Sequence, residues 1–346
     1  ETSTNGGFGK AYNATGGSCV AMNVKTGEVL AMASYPDYNP QSFADGISSE
    51  EWNKYSNNEA HPLLNKTMQS AYEPGSIFKM VTAIAGLESG SITMNDKIND
   101  TGVYKKYGAE WKCWYYTDYH SGHGWLNVSG AIEKSCNYFF YEIGYRVGID
   151  NISKYASYLG LGRKTGIELQ DETSGVLATA ENKKKMYGDD WYLGDTLSAA
   201  IGQTLNSFSP LQMAKYVSML SNGGKNVDVT LIKSVIKADG SEVSKDEIKK
   251  YTNEKLGLKN ETTEDLHVKE SNLQAILKGM KGVTSEGGTA YSAFANFDIE
   301  VGGKTGSAQT GDGKDAHAWF VGFAPYDNPE IAVVVLVEHG GTGGYT

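Results

Sequence analysis

The sequence predicts an α+β protein in which strands from both ends of the chain build one sheet around a mostly helical middle. Three observations carry this. Apolar runs bounded by turn residues cluster before residue 34 and after residue 298. Between them, apolar residues recur at i, i+3 and i+4. The links joining the terminal runs are a few residues long, which favours antiparallel pairing, because parallel neighbours need long crossovers.

The elements follow in order. Val20 to Val24 and Glu28 to Ala33 form a hairpin whose turn is Lys25-Thr26-Gly27. Ser76 to Glu88 is a helix with Met80, Val81, Ala83, Ile84, Ala85 and Leu87 as its buried stripe, closed by Gly90. Val128 to Gly148 and Ile152 to Leu159 are helical. So is Ser209 to Asn222, with Ser209 as N-cap, Pro210 at the first helical position and Gly223-Gly224 beyond its end. A polar, Lys/Glu-rich excursion from Gly224 to Asn272 holds a strand pair, with Leu231 to Ile236 as an alternating strand. A helix from Asn272 to Val283 leads into Glu286-Gly287-Gly288-Thr289-Ala290. Ile299 to Gln309, Ala316 to Ala324 and Glu330 to Glu338 then form a meander. This organisation divides residues 1–346 into a sheet lobe, approximately 16–75 with 225–346, and a mostly helical lobe, 76–224. A cleft between lobes is a favoured place for a site.

Composition sets outer limits. The 346 residues are 21% charged and 40% hydrophobic, ordinary for a folded chain, and the net charge of −10 argues against nucleic acid as a partner. No apolar run approaches the roughly 18 residues that cross a bilayer. The chain begins at Glu1 and stops after a Gly-rich run following a strong strand. We therefore expect a removed N-terminal targeting or anchoring segment and a further C-terminal helix covering the sheet.

Ser76-Ile77-Phe78-Lys79, after Pro74-Gly75, carries the chemistry. At i and i+3 on a helix the Lys79 amine can reach the Ser76 oxygen. A serine hydroxyl is a poor nucleophile until a base takes its proton, and a lysine wrapped in apolar side chains can be that base. Ser234-Val235-Ile236-Lys237 repeats the spacing, but on a strand those residues face opposite ways. Ser135-Cys136-Asn137 and Gly303-Lys304-Thr305-Gly306-Ser307 follow downstream. Lys-Thr-Gly also occurs at Lys25, in the hairpin turn, and at Lys164, in a connecting loop; only the copy at Lys304 lies in an extended segment. Taken singly, Ser135 and Asn137 suit helix caps and Lys304 suits an edge strand.

In that order, Ser-x-x-Lys, Ser-x-Asn and Lys-Thr-Gly resemble the signature of penicillin-binding proteins and serine β-lactamases. Ala31-Met32-Ala33-Ser34-Tyr35-Pro36, Tyr72-Glu73-Pro74-Gly75-Ser76, Gly124 through Phe140, Ile201-Gly202-Gln203 and Gly287-Gly288-Thr289-Ala290 are similar to further stretches of class B penicillin-binding proteins. The resemblance implies an antiparallel five-stranded sheet flanked by helices and joined to a mostly helical lobe, and a single transpeptidase domain lacking the family's membrane anchor and pedestal domain. It implies a D,D-transpeptidase that cross-links peptidoglycan stem peptides ending in D-Ala-D-Ala at the outer face of the cytoplasmic membrane. β-Lactams would acylate it, a membrane glycosyltransferase would work with it, and catalysis would need no cofactor. Ser76 would be the nucleophile and Lys79 its base, its pKa lowered by burial and by Lys304. Ser135 would relay protons, and Asn137 would orient substrate and fix Lys79. The backbone N–H groups of Ser76 and Ser307 would hold the oxyanion, Lys304 and Thr305 the terminal carboxylate, and Gly306 would leave room for substrate. A β-lactamase, a β-lactam-sensing receptor and a carboxypeptidase are the competing readings; Glu168 and Glu172 sit in a stretch resembling an ordinary family loop.

The three cysteines, Cys19, Cys113 and Cys136, do not make a disulfide framework. Cys113, His120, His123 and Cys136 offer a tetrahedral structural zinc site, with Asp118 able to replace either histidine. Two unrelated thiols, or a Cys113–Cys136 disulfide, are the alternatives. Trp111, Trp114, Tyr115, Tyr116 and Tyr119 are read as packing in preference to a wall for substrate.

Overall fold

Strand β1 (Gly16–Asn23) and strand β2 (Val29–Tyr35) form the N-terminal hairpin, and β3 (Gly302–Ala308), β4 (His317–Ala324) and β5 (Ile331–Glu338) the C-terminal meander. They join in one five-stranded antiparallel sheet of order β2-β1-β5-β4-β3, so the first and last strands pair at its centre. Each strand lies within four residues of its predicted span. These findings come from a computed structural model that describes residues 14–257, 264–311 and 313–344 and the short strand pair Ser3–Thr4 with Ala11–Tyr12. Most of the N-terminal stretch, part of the polar excursion, and Tyr345 and Thr346 lie outside the described residues.

Strand β3 is an edge strand, yet six of its seven residues are buried. Helix α6 (Glu270–Thr284) packs against it, and the 3-10 turn Gly75–Phe78, which carries Ser76, leans on it as well. Helix α1 (Lys79–Glu88) is buried except at its last residue, as its apolar content requires. Helix α5 (Pro210–Ser221) is buried at every position and crosses β1, β4 and β5. Its N-terminus has the Ser209–Gln212 reciprocal cap, with Pro210 at the first position.

Two expectations fail. The helix read as continuous from Val128 to Gly148 is two, α3 (Val128–Glu133) and α4 (Asn137–Val147). They are separated by Ser135, which has φ +52°. A non-glycine residue in that region costs about 1–2 kcal/mol, so surrounding bonds must hold it. Leu231 to Ile236 is no strand either: within it only Ile236 makes a bridge, an isolated one with Glu242, and Thr230 just before it bridges Glu28. Leu231, Val235 and Ile236 are exposed, so the alternating pattern has no core to face. A helix, Lys245–Leu256, follows instead.

Candidate active site

The turn that carries Ser76 is built by close backbone approach. Gly75, at φ +55°, donates its N–H to Gly202 O at 2.9 Å, and a Cβ on it would stand 2.7 Å from Ser307 O. Only glycine fits there. One 3-10 turn, Gly75–Phe78, then carries Ser76 to the cleft and hands the chain to α1, whose first residue is Lys79. Ser76 is half-buried, whereas Lys79 is completely buried.

The Lys79 ammonium spends its three hydrogens on three oxygens. It donates to Ser135 O at 2.7 Å, Ser135 Oγ at 3.2 Å and Asn137 Oδ1 at 2.6 Å. Complete burial pushes its pKa down to about 8, opposed by the thiols of Cys113 and Cys136. The second cation was expected to share in lowering Lys79, but the influence falls on the other partner: Lys304 is pushed well down by burial and then by Lys79.

Ser135 lies between the two lysines. Its Oγ accepts from Lys304 Nζ at 2.9 Å as well as from Lys79. A hydroxyl has two lone pairs, so both are engaged and the O–H is free to point at a reacting group. The capping reading of Ser135 and Asn137 does not hold, because Cys136 is the N-cap of α4, its sulfur accepting from Phe139 N. Nor is Lys304 a solvated edge charge: it is completely buried and also donates to Thr305 O at 2.9 Å.

Thr305 and Ser307 line the same cleft as Ser76, Ser135 and Asn137, a space of ≈1240 Å³. Thr305 Oγ1 shares a hydrogen bond with Thr289 Oγ1 at 2.8 Å. Gly306 lines the cleft as well, and its missing side chain also serves the packing beneath. A Cβ there would meet Ile77 Cγ2 and Pro74 O, each at 3.0 Å, so the glycine lets β3 pack on the turn that carries Ser76. Trp114, Tyr115 and Tyr119, on helix α2 (Trp114–Tyr119), also line the cleft, whereas Trp111 packs with Tyr104.

Beside Ser135 the structure gathers Asp100, Cys113, His123 and Cys136, with one ligand atom from each all within 4.8 Å of one another. His120 and Asp118 do not take part. His120 ends α2 in a left-handed turn and is exposed with Asp118, while its ring meets Tyr116. Asp100 takes the fourth place: its Oδ2 accepts from His123 Nδ1 at 2.7 Å and from Cys136 Sγ at 3.3 Å. Burial opposes charge on Asp100, but the bonds from His123, Gly102 N and Cys136 outweigh it and hold the carboxyl down to about 2. A hydrogen bond from Cys136 brings Cys113 down to about 5, against burial and with help from His123. The two cysteines are free thiols, so the disulfide alternative falls. Sequence reading missed Asp100 because it stands 13 residues before Cys113, outside the dense stretch, on the short strand Ile98–Asp100 that pairs with Gly124–Leu126.

Comparison with known proteins bears directly on this arrangement. Residues 17–346 match the penicillin binding protein transpeptidase domain. The chain belongs to this family. The peptidoglycan D,D-transpeptidase MrdA of Haemophilus influenzae is 35% identical to this transpeptidase domain over 348 residues, covering 94% of the chain and 50% of that protein. Among solved structures, Pseudomonas aeruginosa PBP2 in complex with WCK 5153 is similar with a TM-score of 0.84 at 32% identity, covering 95% of this chain and 68% of that one. Helicobacter pylori PBP2, in complex with MreC, has a TM-score of 0.82 at 31% identity, covering 95% and 57%. The chain spans about half the length of the curated relatives it matches.

Proposed function

We propose that this chain is the catalytic unit of a D,D-transpeptidase that cross-links peptidoglycan stem peptides through a serine acyl-enzyme. The observation that carries this reading is the single oxygen, Ser135 Oγ, accepting from both Lys79 and Lys304 in the cleft that holds Ser76. Neutral Lys79 takes the Ser76 proton as Oγ bonds to the penultimate D-Ala carbonyl carbon. The resulting oxyanion lies between the N–H groups of Ser76 and Ser307. Collapse breaks the C–N bond, the Ser135 hydroxyl protonates the departing D-Ala amine, and the proton on Lys79 restores that hydroxyl. An acceptor amine then attacks the ester, and the protons retrace the path to Ser76. Lys304 keeps the relay polarised, and Thr305, facing the cleft, binds the terminal carboxylate. Residues 76–224 act as the helical lobe against a sheet lobe of 16–75 with 225–346.

β-Lactams would acylate Ser76 in place of the stem peptide. On this reading the domain works at the outer face of the cytoplasmic membrane beside a membrane glycosyltransferase; among the described residues no helix is long and apolar enough to span a bilayer. Neither glutamate weighed for the hydrolytic alternative lies in the cleft. Glu172 is buried and accepts from Thr165 N and Oγ1 at 2.7 and 2.6 Å, and Glu168 from Thr230 Oγ1 at 2.6 Å, both outside the residues that line the cleft. Fluorescent penicillin tests the reading: label should persist for hours on the wild type and be lost with Ser76→Ala. Undiminished labelling of the alanine variant, or release within seconds, overturns it.

The reading includes a structural zinc held by Asp100, Cys113, His123 and Cys136. The donor set suits the ion: two thiols, an imidazole and a carboxylate, mostly buried. Such an ion would brace Cys136, and through it Ser135 and Asn137, without entering the acyl transfer. Native mass spectrometry should find one zinc per chain, lost with a lowered unfolding temperature in Asp100→Ala. A metal-free protein of equal stability rules it out.

A further inference from the structure

Trp114 stands on the first turn of α2, and its indole N–H points into the loop that carries Ser135. Nε1 donates to Ser135 O at 3.0 Å and to Lys134 O at 3.2 Å. The Ser135 carbonyl therefore has two donors, the indole and the Lys79 ammonium. Ser135 Oγ likewise has two, Lys79 and Lys304.

Counting hydrogens shows why this matters. A lysine ammonium has three donors and no lone pair. The neutral amine that could receive the Ser76 proton has two N–H bonds and one lone pair, and that lone pair must face Ser76. The three acceptors now held by Lys79 cannot all be kept. An orphaned buried carbonyl carries most of a hydrogen bond's desolvation cost, and that cost would tie Lys79 to its charged form.

We infer that the Trp114 indole N–H is a positioning group for the general base: it keeps the Ser135 carbonyl satisfied when Lys79 gives up a hydrogen and turns toward Ser76. Lys304 does the same for Ser135 Oγ, so Lys79 can leave both Ser135 atoms and pivot about its bond to Asn137 Oδ1. The indole also bonds the carbonyl of a residue held at φ +52°, fixing the direction of the relay hydroxyl whichever proton state Lys79 is in. The charged and titratable groups around the amine are Lys304 on β3, the thiols of Cys113 and Cys136, and the Tyr141 hydroxyl on α4, which bonds the Asn137 side chain and is pushed up by burial; Phe140 contributes a ring face 5.7 Å away. Trp114 itself carries no charge, so altering its N–H changes the donor count and leaves the local charge as it was.

The inference rests on the acylation reading above, and the test keeps the two apart. Residue 114 is replaced by β-(3-benzothienyl)alanine, which puts sulfur where the indole has N–H at nearly constant shape, and separately by phenylalanine (Trp114→Phe). Acylation by benzylpenicillin is followed from pH 6 to pH 10.5 in samples of matched metal content. The benzothienyl protein should acylate about tenfold more slowly at pH 7. The deficit should shrink below twofold above pH 10, where Lys79 is neutral in both proteins, with the unfolding midpoint unchanged. Trp114→Phe should follow the same pattern with some loss of stability, and if it does not fold, the benzothienyl protein decides alone. A rate equal to wild type at pH 7, or a slowing of the same size at every pH, overturns the inference. Failure of wild-type protein to acylate at all would instead sink the transpeptidase reading.

Discussion

Changing the pH should move the acylation rate in a way set by the burial of Lys79. In the proposed mechanism Lys79 acts only without its proton, and its pKa of about 8 lies well under the ordinary lysine value of 10.5. At pH 7 about 9% of the protein then has a neutral Lys79, at pH 8 about half, and at pH 9 about 90%. The second-order acylation constant should therefore rise about fivefold from pH 7 to pH 8, less than twofold from pH 8 to pH 9, and be flat above. An ordinary lysine gives a different curve: tenfold per pH unit up to about pH 10, with almost no activity at neutrality. The separation corresponds to about 3 kcal/mol of preference for the neutral amine, the cost of keeping its charge out of water. Stopped-flow acylation with a chromogenic cephalosporin, at constant ionic strength, reads this directly. A tenfold-per-unit rise persisting through pH 9 would mean Lys79 is not desolvated as described, and a flat profile would mean it is not the base.

Two substitutions probe the surrounding geometry. Ser135→Gly should be more stable than Ser135→Ala by about 1 kcal/mol in chemical denaturation, because only glycine adopts φ +52° without strain; both should acylate at least a hundredfold more slowly, and equal stabilities would show that the left-handed turn is not strained. Glu172→Ala strips the acceptor from Thr165 N, Thr165 Oγ1 and Gly166 N and should cost about 2–3 kcal/mol in unfolding free energy while leaving acylation unchanged, and a rate loss without destabilisation would return this carboxylate to the chemistry.

Much of the architecture could be read from local pattern, and the exceptions have physical causes. Terminal strands showed because β-branched and apolar residues alternate between clear turn signals. The helix after Ser76 showed because nearly every residue of α1 is buried. The break between α3 and α4 carries no Gly or Pro; it depends on bonds from Lys79, Lys304 and Trp114, all distant in sequence. Short helices such as Trp114–Tyr119 bury no residue completely and so leave no periodic stripe. Leu231 to Ile236 erred the other way, an alternating run with nothing to pack on. In the site, the motif order pointed to residues of which Lys79, Ser135, Asn137 and Lys304 share hydrogen bonds, while Ser76 lines the same cleft as Ser135 and Asn137. Asp100 does not announce itself, since a lone aspartate in a polar stretch has no spacing to be recognised by. The packing role of Gly306 was likewise invisible, because what a side chain there would meet, Ile77 and Pro74 O, is known only from the packed turn.

The pairing of β1 with β5 has a consequence for how the molecule comes into being. Ala21 lies opposite Val333, more than three hundred positions later. The β1–β2 hairpin must therefore wait, one flank unpaired and prone to sticking, until β5 has been delivered. Assembly of so distant a seam is slow, because a very large loop closes before any contact rewards it. A holding chaperone should therefore raise the yield of folded domain, and nonsense mutations within β5 should leave no partly useful fragment behind.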